Sequence, residues 1–177
     1  DIPQYVQDAV ADIGIVGENV LMEKNKSVVT VEQLGFGKCR LSVAVPRNFD
    51  YQGIGSLTGK KIATSYPGIL TQHLNTHGVN AEIHEISGSV EIAPGIGLAD
   101  AVCDLVSSGG TLFMNGLKEV ETILSSQAVL VRNQGLSDDK LALLERLLFR
   151  IRAVKKSKRN KYVLLNAPND KLDEIVS

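Results

Sequence analysis

No apolar run in this 177-residue chain approaches the roughly 18 residues that would mark a membrane-spanning helix, so nothing in it reads as a bilayer span. Charge of one sign is not in excess. Lys and Arg number 19 against 20 Asp and Glu, and a net charge of −1 supplies no global field for nucleic acid or an acidic membrane. Cysteine is scarce: Cys39 and Cys103 lie far apart in apolar stretches and read as buried free thiols of a reducing compartment, hence a cytoplasmic setting. No secretory signal pattern opens the chain, and there are no internal repeats or low-complexity segments. No G-x-G-x-x-G follows a first strand, which argues against a dinucleotide-binding oxidoreductase. There is no Ser-His-Asp pattern and no dense acidic cluster to cage a metal. What is present is 44% hydrophobic residues, enough to bury a real core in one large or two small domains.

Patterning gives alternating elements, which argue for an α/β architecture. Asp1 to Val10 reads as a helix with Asp1 as N-cap and Pro3 in the first turn. Asp12 to Gly17 reads as a short buried strand. Residues 28–34 and 40–45 read as strands around the Gly35-Phe36-Gly37 turn, and Pro46 to Thr58 as a polar, Gly-containing linker. Residues 61–64 are strand-like. Pro67 to His77 reads as a helix ended by Gly78 at a C′ position. Residues 81–86 form a strand. Residues 120–124 and 128–131 read as strands around Ser125-Ser126. Ser137-Asp138-Asp139 caps a long helix whose Leu144, Leu147, Leu148, Ile151 and Val154 make one apolar face. Tyr162 to Leu165 reads as a final buried strand. Asn169 to Val176 starts a helix and stops.

The richest stretch is Asp104-Leu-Val-Ser-Ser-Gly-Gly-Thr-Leu-Phe-Met-Asn-Gly116. The apolar run Ala101 to Val106 ends in Ser107-Ser108-Gly109-Gly110-Thr111, and a helix-compatible segment follows. Strand, small-residue turn and helix start are how α/β proteins build an anion site. Glycines let backbone N–H groups point inward, hydroxyls add donors, and the helix N-terminus adds partial positive charge. An ordinary strand-to-helix turn capped by Ser or Thr has the same look.

Other residues carry two readings each. Asp104 shares a strand face with Val102 and Val106, so it is partly shielded and needs partners, either a ligand's hydroxyls or the following turn. Asp100 is a cleft acid or an ordinary exposed one. Glu91, in the second Gly/Ser loop Gly88 to Pro94, either faces a cleft or stabilises a helix dipole. Tyr66 either borders a nucleotide or packs between lobes. Glu18 and Asn19 follow a strand end, where α/β sheets place ligand contacts, although Asn19 also suits a helix cap. His73 and His77 stand i, i+4 on a helix, but no third ligand of suitable spacing accompanies them, and no protein metal site is expected. The basic run Arg150, Arg152, Lys155, Lys156, Lys158, Arg159 and Lys161 suits the solvated end of a long helix, with a phosphate or nucleic-acid patch as the lesser reading.

Read backward from the loop, Glu91, Gly97-Leu-Ala99, Val102-Cys-Asp104-Leu105 and Ser108-Gly109-Gly-Thr111-Leu112 form a long run that resembles the signature of the ATP phosphoribosyltransferases of histidine biosynthesis. Matching segments lie in the same order: Asp12 to Leu21, Cys39-Arg-Leu-Ser42, Lys61 to Pro67, Gly88 to Pro94 and Lys161 to Pro168. The resemblance covers essentially the whole chain. It implies a fold similar to type II periplasmic binding proteins, two α/β lobes around a cleft joined by two crossing strands. The lobes are expected as 1–45 plus 127–177, and as 46–126. It also implies that a first βαβ unit precedes this chain and, in the longer form of the family, that a regulatory domain follows it, so both ends read as cut.

The resemblance further implies a reaction. Ring nitrogen 1 of ATP attacks the anomeric carbon of phosphoribosyl pyrophosphate, pyrophosphate leaves, and phosphoribosyl-ATP forms. Such chemistry is served by positioning and electrostatics. Asp104 and Glu91 are then the catalytic candidates. Asp104, Ser107, Ser108, Gly109, Gly110, Thr111 and Leu112 hold phosphoribosyl pyrophosphate, and Glu18, Asn19, Tyr66 and Asp100 line the cleft or nucleotide site. Mg²⁺ is expected to arrive with the substrate. Partners are ATP, phosphoribosyl pyrophosphate and further copies of the chain, as dimers and hexamers, with no nucleic acid and no membrane. A non-catalytic small-molecule-binding module of the same fold is the rival reading.

Overall fold

The computed structural model describes residues 1–158, together with 160, 161, 164, 166 and 168–171. The chain divides into two compact units, Asp1–Leu136 and Ser137–Ser177. The first opens with helix α1 (Ile2–Gln7), strand β1 (Ile13–Gly17) and helix α2 (Glu18–Lys24). Strands β2 (Val29–Gln33) and β3 (Cys39–Pro46) follow. Next come β4 (Lys61–Thr64), helix α3 (Pro67–Thr76), β5 (Glu82–Glu85) and β6 (Ala101–Val106). Helix α4 (Gly110–Met114), β7 (Leu117–Ser126) and β8 (Ala128–Arg132) complete it.

These strands form two sheets. The smaller has order β1-β8-β2, antiparallel throughout; the larger has order β5-β4-β6-β3-β7. In the larger sheet β4 runs parallel to β5 and β6, whereas β3 is antiparallel to both β6 and β7. The smaller sheet therefore draws on strands from before residue 34 and from after residue 127. The chain passes between the sheets twice, through residues 34–38 and through Gln127.

This corrects one expectation. The expected first lobe, 1–45, takes in β3, but Arg40–Ala44 pair with β6 and Cys39–Pro46 pair with β7, so β3 is a central strand of the larger sheet. Its Leu41, Ser42, Val43, Ala44 and Val45 are all buried. The polar Pro46 to Thr58 stretch is then a connection on the same sheet's border, carrying a single-turn 3-10 helix at Ile54–Leu57. Polarity marks a surface connection but does not say which layers it joins. Likewise Ser125 and Ser126 are the end of the long strand β7 rather than a turn between two paired strands.

Both faces of the larger sheet are covered. One carries Leu41, Val43, Ile62, Ala101 and Cys103 against Ile69, Leu70 and Leu74 of α3. The other carries Ala44, Ala63, Val102 and Val106 against Val90, Ala93 and Leu112. A strand buried on two faces reads as a continuous apolar run, and Ala101-Val-Cys-Asp-Leu-Val106 does so except at Asp104. The smaller sheet packs Val129 and Val131 against Val6 of α1. Cys39 and Cys103 are both free thiols; Cys103 is buried, and burial pushes its thiol up to about 12.

The second unit contains helix α5 (Asp138–Ser157), with Ser137 as N-cap, Asp138 and Asp139 in the first turn and Lys155 and Lys156 in the last, as its dipole favours. Its apolar face is narrower than the spacing predicts: Leu144 and Leu148 are buried, whereas Leu147 and Val154 are exposed. Arg150, Arg152, Lys156 and Lys158 are exposed, as a solvated helix end requires. Tyr162, Val163 and Leu165 of the expected final strand, Arg159 of the basic run, and most of the helix expected from Asn169 lie outside the described residues, and Leu164 is exposed; Asn169–Lys171 form a 3-10 turn. Among the described residues no helix is long and apolar enough to cross a membrane.

Candidate active site

The strand-to-helix loop takes its shape from one glycine. Gly109 is the N-cap of α4 at φ +80°, a left-handed conformation that costs a residue with a Cβ roughly 1–2 kcal/mol. The first turn of any helix leaves N–H groups without intrahelical acceptors. Here they belong to Gly110, Thr111 and Leu112, since the N–H of Phe113 already donates to the carbonyl of Gly109. The Leu112 side chain is core, so only its backbone can serve a ligand.

Around this loop lies a cavity of about 240 Å³ lined by Glu91, Asp104, Leu105, Val106, Ser107, Ser108, Gly109, Thr111 and Leu112. Asp104 is half-buried near the end of β6, on the face that also carries Val102 and Val106. Burial raises its carboxyl above the ordinary value, the Glu91 carboxylate raises it further, and a hydrogen bond from the Leu105 backbone works against both. Two carboxylates lining one cavity, beside a loop of N–H and hydroxyl donors, suit a ligand carrying hydroxyls, phosphate and an accompanying cation. Glu91 sits in a one-turn 3-10 helix, Val90–Ile92, entered through Ser89 at φ +50°. One such turn has no macrodipole worth stabilising, so the cavity-facing reading of Glu91 is the one the geometry supports.

A second groove, of about 400 Å³, follows the passages between the sheets. Glu18, Lys38, Cys39, Arg40, Ser107, Ser125, Ser126 and Gln127 line it. Ser107 borders both spaces, so the loop opens toward the layer that carries Glu18. Glu18 braces this crossing: its carboxylate accepts from the Gln33 side chain at 2.8 Å and from the Gln127 N–H at 3.2 Å. Its own N–H donates to the Gln127 carbonyl at 3.0 Å.

Asn19 and Tyr66 resolve toward packing. Asn19 is 4% exposed. Its N–H donates to Ser126 Oγ at 3.1 Å, its Oδ1 accepts from the same hydroxyl at 2.8 Å, and its Nδ2 donates to the Tyr66 hydroxyl at 2.9 Å. The N-cap of α2 is Gly17, not Asn19. A Cβ on Gly17 would stand 2.3 Å from Asn19 Oδ1, so the latch requires glycine there. Tyr66 packs against the core of the larger sheet, and burial raises its hydroxyl's pKa despite the Asn19 hydrogen bond, with Asp104 a smaller contribution in the same direction. A second tie joins the layers: Glu23 of α2 accepts from the N–H groups of Gly68 and Ile69 at 2.8 and 3.0 Å, capping α3 from outside its own sequence.

Asp100 is not brought to this site. Its carboxylate accepts from the Lys61 N–H at 2.9 Å, and it borders a different cavity with Lys61, Pro94 and Ala99. It is a brace at the start of β6 and β4. Arg40, which the sequence marks only as part of the segment Cys39-Arg-Leu-Ser42, also reaches the loop. Arg40 projects from β3, pairs with Glu119 through Nε at 2.5 Å, and reaches the Ser107 carbonyl at 3.3 Å. An arginine inside an otherwise apolar strand was the available signal. Finally, His73 and His77 do have a third neighbour, Glu121 of β7, which no sequence spacing could reveal.

Comparison with known proteins agrees with this architecture. The family described as "HisG: ATP phosphoribosyltransferase" matches residues 1–153. An ATP phosphoribosyltransferase of Bacteroides thetaiotaomicron is 58% identical over all of this chain, and one of Cytophaga hutchinsonii 56%. The chain spans 62% of the length of each. Among solved structures, the ATP phosphoribosyl transferase (HisG:HisZ) complex from Thermotoga maritima superposes with a TM-score of 0.78 at 30% identity, covering 89% of this chain and 76% of that one. The substrate binding protein of an amino acid ABC transporter gives a TM-score of 0.64 at 16% identity, covering 88% of this chain and 70% of that one, a likeness of fold alone. Sequence, fold and signature loop agree: the chain belongs to the ATP phosphoribosyltransferase family.

Proposed function

We propose that the protein containing this chain condenses ATP, through adenine ring nitrogen 1, with phosphoribosyl pyrophosphate, releasing pyrophosphate and forming phosphoribosyl-ATP in the first step of histidine biosynthesis. The observation that carries the proposal is the cavity that gathers Glu91, Asp104, Ser107, Ser108, Gly109 and Thr111 at one strand end. In this reading the N–H groups of Gly110, Thr111 and Leu112 and the hydroxyls of Ser108 and Thr111 hold the ribose 5′-phosphate. Asp104 and Glu91 face the ribose hydroxyls. Their mutual repulsion is relieved by those hydroxyls and by the charge that develops on the ribose as its bond to pyrophosphate breaks.

The same carboxylate pair fits Mg²⁺, which binds through one or two carboxylates plus substrate phosphates and keeps its waters. Bound with the pyrophosphate, the ion neutralises the leaving group's charge. ATP enters from the groove at the crossings, where Lys38, Arg40 and Glu18 lie. Closure about residues 34–38 and Gln127 aligns the two reactants and excludes water. Further copies of the chain complete the working assembly, and its free thiols suit a reducing, cytoplasmic setting.

A small-molecule-binding module remains the rival, since fold alone does not fix function. Thermal denaturation of the full-length protein separates the two. Phosphoribosyl pyrophosphate at a hundred times its Kd should stabilise by about 2.7 kcal/mol, with no response to NAD. Stabilisation by an amino acid and none by phosphoribosyl pyrophosphate would overturn the enzyme reading.

A further inference from the structure

His73 and His77 stand one turn apart at the C-terminal end of α3, and Glu121 projects toward them from the edge strand β7. His73 Nε2 is 2.9 Å from Glu121 Oε1, and the two imidazole centroids are 4.4 Å apart. Ligand-capable atoms of all three residues lie within 4.8 Å of one another. We propose that His73, His77 and Glu121 form a binding site for a divalent transition metal of the zinc type, linking the end of α3 to β7.

The donor set is the first argument. Two imidazoles and one carboxylate are a known zinc set with three protein ligands and a fourth position left to water. The i, i+4 spacing puts both rings on one helix face. The groups behind the ligands are the second argument. His77 Nδ1 is 2.8 Å from the His73 carbonyl, and a carbonyl can only accept, so Nδ1 carries the hydrogen. In the neutral ring this leaves the Nε2 lone pair for a metal. A backbone carbonyl fixing the other ring nitrogen is the usual support of a ligating histidine. Glu121 is oriented in the same way: the Tyr51 hydroxyl donates to its Oε2, which leaves Oε1 on the histidine side.

Access is the third argument. His73 and Glu121 are partly shielded, with 15% and 25% of their side chains exposed, whereas His77 is exposed and gives an incoming ion a path. Ligation through His73 Nε2 uses the neutral tautomer with the ring hydrogen on Nδ1, so the hydrogen that Nε2 shares with Glu121 is exchanged, by way of solvent, for one on Nδ1. The direct hydrogen bond to Glu121 is then replaced by two bonds to one ion. The third histidine of the chain, His84, offers a contrast: it pairs with Glu82 at 2.7 Å, and the pair belongs to no three-donor group among the described residues.

The test is a titration of chelator-treated full-length protein with Co²⁺, read by its visible absorption, followed by competition with Zn²⁺. Saturable binding at micromolar concentrations is expected, with Zn²⁺ displacing Co²⁺. His77→Ala, at an exposed position that the fold does not need, should weaken binding at least tenfold. Glu121→Gln should do the same, Tyr51→Phe should weaken it less, and His84→Ala should leave it unchanged. Circular dichroism checks that each variant is folded. Absence of saturable binding, or binding that His77→Ala and Glu121→Gln both leave at the original affinity, overturns the proposal. The readout does not involve nucleotide or phosphoribosyl pyrophosphate, so its failure would leave the enzymatic proposal standing.

Discussion

Replacing Gly109 by alanine tests whether the loop's shape is the source of its chemistry. Gly109 sits at φ +80°, and a Cβ there would meet only Val106 Cγ1, at 3.9 Å. Space is therefore not the constraint; backbone conformation is. The left-handed penalty of roughly 1–2 kcal/mol falls on the native loop. For a protein of this size, about 2–4 °C of melting temperature is lost per kcal/mol, so the variant should melt about 2–8 °C lower. If the loop relaxes locally instead of unfolding globally, the binding-competent shape loses a factor of about 5–30 in population, and the Kd for phosphoribosyl pyrophosphate rises by that factor. Gly110 is the internal control. It is the first residue of α4 without a positive φ, and a Cβ there makes ordinary contact with Ser108 Oγ at 3.7 Å. Gly110→Ala should keep the wild-type melting temperature or gain slightly, since alanine suits a helix better. Scanning calorimetry gives the first quantity and titration calorimetry the second. Equal losses of stability in the two variants, or wild-type stability and affinity in Gly109→Ala, would refute the argument.

Three further outcomes are expected. Thr111→Ala should raise the Michaelis constant for phosphoribosyl pyrophosphate several-fold, a loss of about 1–3 kcal/mol for a hydrogen bond to a charged group; steady-state kinetics unchanged in both substrates would remove Thr111 from the site. Tyr66→Phe strips the acceptor from the buried Asn19 Nδ2 and should cost about 1–3 kcal/mol in urea denaturation with an unchanged slope; a difference within error would mean that the latch carries no stability. The Arg40 hydrogen bonds hold the Glu119 carboxyl below its ordinary value of 4.5, so the stability this pair contributes is full above that pH and is lost as pH falls through the lowered value. Glu119→Gln should flatten that part of the acid-unfolding profile; a variant as acid-sensitive as wild type would assign the loss to other carboxylates.

Much of this protein was determined locally and so was legible in its residues. The strand at Lys61–Thr64, the helix from Pro67 with Gly78 beyond it, and the Ser137-capped helix follow from periodicity and capping, which depend on neighbours in sequence. The loop Ser107 to Thr111 by itself had the look of an ordinary capped turn as much as of an anion site; it was the longer run from Glu91 to Leu112, with its resemblance to a family signature, that pointed to the family. Tertiary structure decided the rest, where the deciding partner lies far along the chain. β3 looked like the end of a first lobe, yet its hydrogen-bonding partners are β6 and β7, more than 50 residues on. Asp100 and Glu91 were comparable acids in the sequence; only the packing of β4 turned one into a brace for Lys61 while the 3-10 turn at Val90–Ile92 aimed the other at Asp104. Asn19 had the look of a cap until Ser126 and Tyr66 closed around it. His73 and His77 lacked a third partner until the sheet carried Glu121 to them. A side chain's type is set by the sequence, but whether it binds, braces or packs depends on which distant groups the fold brings within about 3 Å of it, the reach of a hydrogen bond.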